Sequence, residues 1–256
     1  MANPRLLIEQ TLSPGAEIAL EEGQARHVGT VLRLDAGDSL RVFNANDGEW
    51  RARVSEKSKR GMRVRVEEKL RDARVTPDLD LMFAPVKRHA TDLIVEKATE
   101  LGVRRIRPII TQRTIAETVR TDRLAAIARE AAEQTERFDA PEICEPLALG
   151  KALDGWDAAR PMIYADEAGD DASQVWGGEA GRAAPMLDAL GGHADASKLA
   201  LLIGPEGGFT PEERRMLRSL PFVIPVSLGP RILRAETAAI AALTLAQAQW
   251  GDWRRA

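Results

Sequence analysis

The residues best spaced to do chemistry lie in the C-terminal third, in the segment 199–213, LALLIGPEGGFTPEE. An apolar run leads into a glycine-rich turn. Thr210, Pro211 and Glu213 then predict a helix start closed by a capping box. Gly204, Gly207 and Gly208 let backbone approach a ligand with no Cβ in the way. A second unit follows at once: a strand from Phe222 to Val226, a Ser-Leu-Gly-Pro-Arg loop at 227–231, and a nearly all-apolar helix from Ala235 to Trp250. Ligands of α/β sheets sit beyond the carboxyl ends of strands. A right-handed crossover makes these two strands parallel, so both glycine-proline loops emerge at one edge, a clamp suited to a small flat ligand. Phosphate chemistry of the P-loop kind is disfavoured, because Gly204 to Thr210 contains no lysine. The spacing of a dinucleotide fingerprint is absent too. The residues alone leave two readings open: a small-molecule site of unusual type, or two tight turns in a sheet.

The elements that must position these loops can be read back along the chain. From Leu79 onward strands alternate with helices, the pattern of an α/β domain. Leu79–Ala84, Val103–Ile110 and Pro161–Ala165 predict strands. Thr91 predicts the cap of a helix running to Leu101, with Gly102 as its stop. Thr121 to Phe138 predicts a second amphipathic helix, with Leu124, Ala128, Ala131, Thr135 and Phe138 on one stripe. Glu130, Gln134 and Arg137 form a separate polar stripe, which serves either solvent or a ligand. The segment 166–197 is rich in Gly, Ala and Asp and reads as loops with one short helix near 184–190. Before Leu79 the chain reads as all-β. Leu40–Phe43, Trp50–Val54 and Met62–Val66 alternate apolar with polar, and the Asn-Asp-Gly at 46–48 predicts a hairpin. A non-periodic stretch, 72–78, with Pro77, places the domain boundary there, giving domains 1–72 and 73–256.

Composition narrows the function classes. The 256 residues carry a formal charge of -3, which argues against a protein that simply coats nucleic acid. The charge is uneven, however. Arg51, Arg53, Lys57, Lys59, Arg60, Arg63 and Arg65 stand against Glu56 alone, and 103–113 holds four arginines and no acid. The arginines of the two later strands share a face opposite the valines, either a solvated surface or a phosphate grip. No apolar stretch is long enough for a membrane helix, and no signal peptide is evident at the start of the chain. The single Cys144 allows no internal disulfide and fits a reducing compartment, the cytoplasm. His27, His89, His193 and Cys144 lie too far apart for zinc-ligand spacing, so no metal is expected; the histidines read as surface or capping residues.

The segments LLIGPEGG (201–208) and SLGPRILRAETA (227–238) together resemble the RsmE family of SPOUT methyltransferases. So do HVGTVLR (27–33), KATELGV (97–103), Arg113, and EAAEQTER (130–137) with Pro141, which extends the likeness over almost the whole chain. Two departures are visible: Lys87-Arg-His-Ala before the first helix of the α/β domain, and a longer, more acidic 166–197 segment. The resemblance implies a trefoil-knotted parallel sheet with helices on both faces, a small N-terminal β-barrel of PUA or OB type, and a homodimer. It implies transfer of a methyl group from S-adenosylmethionine to N3 of a uridine in small-subunit ribosomal RNA, free or assembled. The cofactor would lie against Leu202, Ile203, Gly204, Pro205 and Gly207, and against Leu228, Gly229, Ile232, Leu233, Arg234, Thr237 and Ala238, with the turn after Ala165 as a third wall. Arg113, Gln134 and Glu206 are the catalytic candidates; Arg51, Arg53, Arg63, Lys87, Arg88 and Arg137 would contact RNA. Two alternatives stay open: methylation of another base or a ribose by the same fold, and a non-catalytic RNA-binding assembly factor.

Overall fold

A computed structural model of the chain describes residues 4–59, 61–116, 118–171, 173–192 and 196–255. Arg60 and His193, named above, lie outside the described residues. The chain divides into two units: 1–75 with 132–140, and 76–131 with 141–256.

The first unit is built on a five-stranded sheet of order β1-β3-β4-β5-β2. Its strands are β1 (Arg5–Leu7), β2 (Glu17–Ala19), β3 (Ser39–Asn44), β4 (Gly48–Ser58) and β5 (Gly61–Arg71). β1 joins β3 in parallel; the other pairings are antiparallel. The hairpin at 46–48 forms as its residue types require, with Gly48 at φ 84° and the Asn44 side-chain oxygen accepting the Asn46 and Asp47 N–H groups. Ala52, Val54, Val64 and Val66 are fully buried while Arg51, Arg53, Arg63 and Arg65 face outward, so the strand alternation holds. The unit is not all-β: a short helix α1 (Glu22–Arg26) runs into a π-turn at His27–Val31. Glu21 and Gln24 close a capping box around its start, and Val28 plugs the sheet's core. Beneath the sheet, Glu49, only 1% exposed, collects Arg5 at 2.7 Å, Arg41 at 3.2 Å and also Arg71. One buried carboxylate thus gathers three strands.

The second unit is a parallel α/β sheet. Its strands are β6 (Leu79–Phe83), β7 (Arg105–Ile110), β8 (Glu142–Ile143), β9 (Leu147–Ala148), β10 (Met162–Ala165), β11 (Leu199–Ile203) and β12 (Val223–Val226). The helices are α2 (Arg88–Glu100), α3 (Thr121–Gln134, its last three residues counted with the first unit), α4 (Leu149–Leu153), α5 (Met186–Gly191), α6 (Pro211–Ser219) and α7 (Ala235–Gln249). The sheet order is β12-β10-β11-β6-β7-β8, with β9 also on β7, and every pairing is parallel. β6 and β11 are buried at every residue, the continuous apolar run of strands covered on both faces. Each buried Leu or Ile there contributes roughly 1.5–3 kcal/mol. α7 lays its alanine face, Ala235, Ala238, Ala239, Ala242 and Ala246, on α2, α5 and β11.

Two helix limits differ from the sequence reading. α2 begins at Arg88, because Thr91 does not cap it; its hydroxyl instead binds the carbonyl of Val86 at 3.0 Å and accepts the Val86 N–H at 3.1 Å. α3 stops at Gln134, and Glu136 takes φ 61°, so Phe138 is buried from a loop rather than from the helix stripe. Among the described residues no helix is long and apolar enough to cross a membrane.

Candidate functional site

The candidate site sits where the sheet changes direction. From β10 the chain moves to β11 on one side, then returns to β12 on the other. That reversal is the topological switch point at which α/β sheets bind ligands. Tyr164 of β10 stands in register with Leu202 on one side and Pro225 on the other. The loops after β11 (204–208) and β12 (227–230) therefore flank the loop after β10. With neighbouring strands about 4.8 Å apart, the two glycine-proline bends open on a slot roughly 10 Å wide.

The first bend is held from below and from the side. Phe209 folds back edge-on to buried Tyr164, ring centroids 5.2 Å apart. It fills the space where a Gly204 Cβ would stand, 2.6 Å from the ring, so Gly204 is required by packing. Thr210 and Glu213 close the expected capping box. Glu213 does more than cap: one oxygen accepts the Thr210 N–H at 2.9 Å and the other the Gln112 N–H at 2.8 Å. This clips the loop after β7 to the first turn of α6 and delivers Arg113. Arg113 donates to the Gly207 carbonyl at 2.8 Å and to Phe209 O at 3.4 Å. Gly208 sits at φ 67° with the Trp176 ring against it; a Cβ there would lie 2.8 Å from Cζ3.

The second bend is a serine turn. The Ser227 hydroxyl oxygen accepts the Gly229 N–H at 3.1 Å, and Gly229 takes φ 115° with nothing within 4 Å of a Cβ position. Ser227 also pairs with the strand-like Ala184–Met186 segment through bonds of 2.8 and 3.0 Å. The third wall, after β10, begins with Asp166, which is 2% exposed. Arg214 Nε spans its oxygens at 2.9 and 3.0 Å, and Arg218 Nε reaches it at 2.6 Å. Arg214 and Arg218 also bind the Gly181 carbonyl at 3.2 and 2.9 Å, and so tie the 166–182 loop to α6.

Of the residues singled out by sequence, Leu202 and Ile203 have buried side chains and offer the site only backbone. Glu206 and Gly207 are exposed at the bend, as are Ile232, Arg234 and Thr237 near the start of α7. Pro205 and Ala238 are buried; Leu228 and Leu233 are half-buried. Lys87 and Arg88 are exposed and line a cavity of 360 Å³ with Pro85, Ile115, Val119 and Arg123, at the carboxyl ends of β6 and β7. Gln134 and Arg137 belong to the first unit, where the Arg137 guanidinium, 8% exposed, is engaged by Asp139 at 2.9 Å. On the first unit's sheet Arg51 pairs with Glu68 at 2.7 Å, Arg53 with Glu67 at 2.8 Å, and Arg63 reaches the Glu17 carbonyl at 3.5 Å. The outward arginines are thus partly neutralised by acids just past the window read from sequence. The sequence reading missed Asp166, Trp176 and the second bond of Glu213. For Asp166 there was a signal, a carboxylate one residue past the end of a strand; for the other two there was none, since both depend on contacts far along the chain. Among the described residues no group of three His, Cys, Asp or Glu side chains could hold a metal ion.

Five matches with known proteins bear on this site. Residues 74–247 match the RNA methyltransferase domain model, and residues 20–67 match the RNA methyltransferase PUA domain model. A ribosomal RNA small subunit methyltransferase E of Rickettsia conorii is 32% identical over 240 residues, covering 93% of this chain and 93% of the relative. A methyltransferase of Legionella pneumophila, solved with the cofactor SAM bound, superposes with a TM-score of 0.81 at 29% identity, over 98% of this chain and 100% of that one. A ribosomal RNA small subunit methyltransferase E of Neisseria gonorrhoeae, bound to S-adenosyl methionine, gives a TM-score of 0.79 at 25% identity, over 98% and 99%.

Proposed function

The chain belongs to the ribosomal RNA small subunit methyltransferase E family, and from that premise we propose that it transfers a methyl group from S-adenosylmethionine to N3 of a uridine in small-subunit ribosomal RNA. The observation that carries this reading is the meeting of three strand-end loops, after β10, β11 and β12, at the switch point of a parallel sheet. Relatives with the same overall architecture hold the methyl donor.

The residues present fit such a donor. A glycine bend faces open space at Gly229, and a second bend, at Gly204–Gly208, is braced by Arg113 and Glu213. When bound, S-adenosylmethionine supplies a sulfonium-activated methyl group, a chemistry that calls for no metal. Backbone groups of Leu202, Gly204, Leu228 and Leu233 hold its adenine and ribose. Ile203, Pro205, Gly207, Gly229, Ile232 and Arg234 shape the walls, and Thr237 and Ala238 the floor. Uracil N3 carries a weakly acidic proton that must leave as the nitrogen attacks, so catalysis needs orientation and a partner for the growing negative charge. Arg113 supplies the cation, Gln134 of the partner subunit positions the base, and Glu206 is the carboxylate nearest the cofactor bend.

N3 lies on the pairing edge of the base, so the target is unpaired or flipped out. Residues 1–72 act as the RNA-binding domain and 73–256 as the methyltransferase domain. Arg51, Arg53, Arg63, Lys87 and Arg88 contact phosphate, a role that the burial of Arg137 against Asp139 leaves chiefly to them. The enzyme works in the cytoplasm as a homodimer with a trefoil-knotted catalytic domain. The test is methyl transfer from labelled cofactor to purified small subunits and to free ribosomal RNA, followed by nucleoside identification. N3-methyluridine is expected. A ribose methyl or another methylated base refutes the specificity, and saturable cofactor binding without transfer refutes catalysis.

A further inference from the structure

The middle loop of the site carries two consecutive carboxylates in opposite circumstances. Asp166 is answered by Arg214 and Arg218, with three contacts between 2.6 and 3.0 Å. Glu167 follows it in the loop after β10. Its Oε1 is shielded from solvent and has no hydrogen-bond partner among the described residues. Burial, helped by the neighbouring Asp166 charge, pushes its carboxyl above the usual glutamate range; the Leu228 N–H directed at it and the Arg182 charge offset only part of this. Unsatisfied buried acceptors are few in folded proteins, and each calls for a reason. This one stands between the two glycine bends, at the switch point, facing the residue that opens the second bend.

We infer that Glu167 accepts hydrogen bonds from the ribose hydroxyls of the methyl donor, an inference that rests on reading these loops as the S-adenosylmethionine site. A carboxylate at a strand end of an α/β sheet is well suited to a ribose diol, which offers two donors to one planar acceptor. The donor's α-ammonium is the other group that could satisfy Oε1. Glu167 is approached by the N–H of Leu228, whose backbone is read above as holding the adenine and ribose, which favours the diol.

Calorimetric titration of the full chain separates these cases. The probes are S-adenosylmethionine, 5′-methylthioadenosine, which keeps the ribose and lacks the amino-acid tail, and the 2′,3′-dideoxy form of the latter. Glu167→Ala is expected to weaken the first two by the same factor, about ten- to a hundred-fold as for a hydrogen bond to a charged group, and to leave the dideoxy probe unaffected. Because Oε1 has no partner among the described residues, the ligand-free melting temperature of the isosteric Glu167→Gln should stay level or rise, and only that of Glu167→Ala, which strips the Leu228 N–H of its acceptor, should fall. A loss confined to S-adenosylmethionine moves Glu167 to the tail and overturns the assignment. Equal binding by wild type and variant overturns it as well, and so does a fall in ligand-free melting temperature in both variants, which would make Glu167 a loop brace. Failure of the wild-type chain to bind S-adenosylmethionine overturns instead the reading on which the inference stands.

Discussion

Gly208→Ala should destabilise the catalytic unit by about 2 kcal/mol, in two separable parts. Gly208 holds φ 67°, a conformation that costs an alanine roughly 1 kcal/mol. Its new Cβ would also stand 2.8 Å from Trp176 Cζ3, about 0.7–1.2 Å inside an ordinary carbon contact of about 3.5–4.0 Å. The ring cannot simply swing away. The Trp176 carbonyl accepts the Gly169 N–H at 2.8 Å, and the same loop is tied to α6 by Arg214 and Arg218. Overpacking of this kind costs about 1–3 kcal/mol, and the low end applies because one side of the ring is open to solvent. A double-mutant cycle resolves the two parts. In a Trp176→Ala background only the backbone part remains, so Gly208→Ala should there cost about 1 kcal/mol, leaving a coupling near 1 kcal/mol. The assay is urea unfolding followed by far-ultraviolet circular dichroism, which does not depend on the deleted indole. Equal costs in both backgrounds would mean that Trp176 does not press on the bend. A cost below about 0.5 kcal/mol in both would mean that the bend does not need glycine.

Three further outcomes follow from other parts of the molecule. Arg113→Ala should lower kcat by at least about a hundred-fold while leaving the S-adenosylmethionine Kd within a few-fold; lost cofactor binding would make Arg113 a brace of the Gly207 carbonyl and no more. Reversing Arg53 and Arg63 to glutamate should weaken RNA binding and flatten the dependence of log K on log salt by roughly two units, and an unchanged slope would remove the first unit's sheet from the RNA contact. Burial alone would raise the Asp78 carboxyl, but Arg160 and Arg105 outweigh it and hold the group below its usual range. Its stabilisation is therefore present above about pH 4 and lost as pH falls through the lowered folded value. The acid limb of melting temperature against pH should be shallower in Asp78→Asn, and an unchanged limb would mean that these pairs contribute nothing to folding.

What the sequence made legible was local. The bend at 204–208, the Thr210–Glu213 capping box and the hairpin at 46–48 each depend on residues within a few positions of one another, and each forms as read. The strands β6, β10, β11 and β12 were legible for a related reason, since buried parallel strands appear as unbroken apolar runs, whereas β8 and β9, two residues each, are too short to show one. The helix-to-π-turn at 22–31 was hidden because it is too short to show a period and buries Val28 alone. Thr91 misled because its hydroxyl serves the loop before the helix rather than the helix itself. The assembly of the site was not legible from these segments. Nothing near Glu213 foretells its bond to Gln112, and nothing in 166–182 foretells that Trp176 returns to Gly208.

The first part of the acidic 166–197 segment, residues 166–182, finds a physical role in the same contacts. Its charge does not project as a field. Asp166 and Asp170 are paired with Arg214, and Asp166 also with Arg218, from α6. The same cancellation recurs where Asp80 gathers Arg105 and Arg107, and where Glu49 gathers Arg5 and Arg41. The buried acids Glu49, Asp80 and Asp166, which count toward the net charge of -3, are thus each spent on arginines inside their own unit. Pairs at these separations are nearly neutral when seen from beyond a Debye length of about 8–10 Å. Exposed cations such as Lys87 and Arg88 then set the local potential more than the whole-chain sum does. A mildly acidic total is for that reason no argument against phosphate contact, and the charge that bears on RNA must be counted at the surface, site by site.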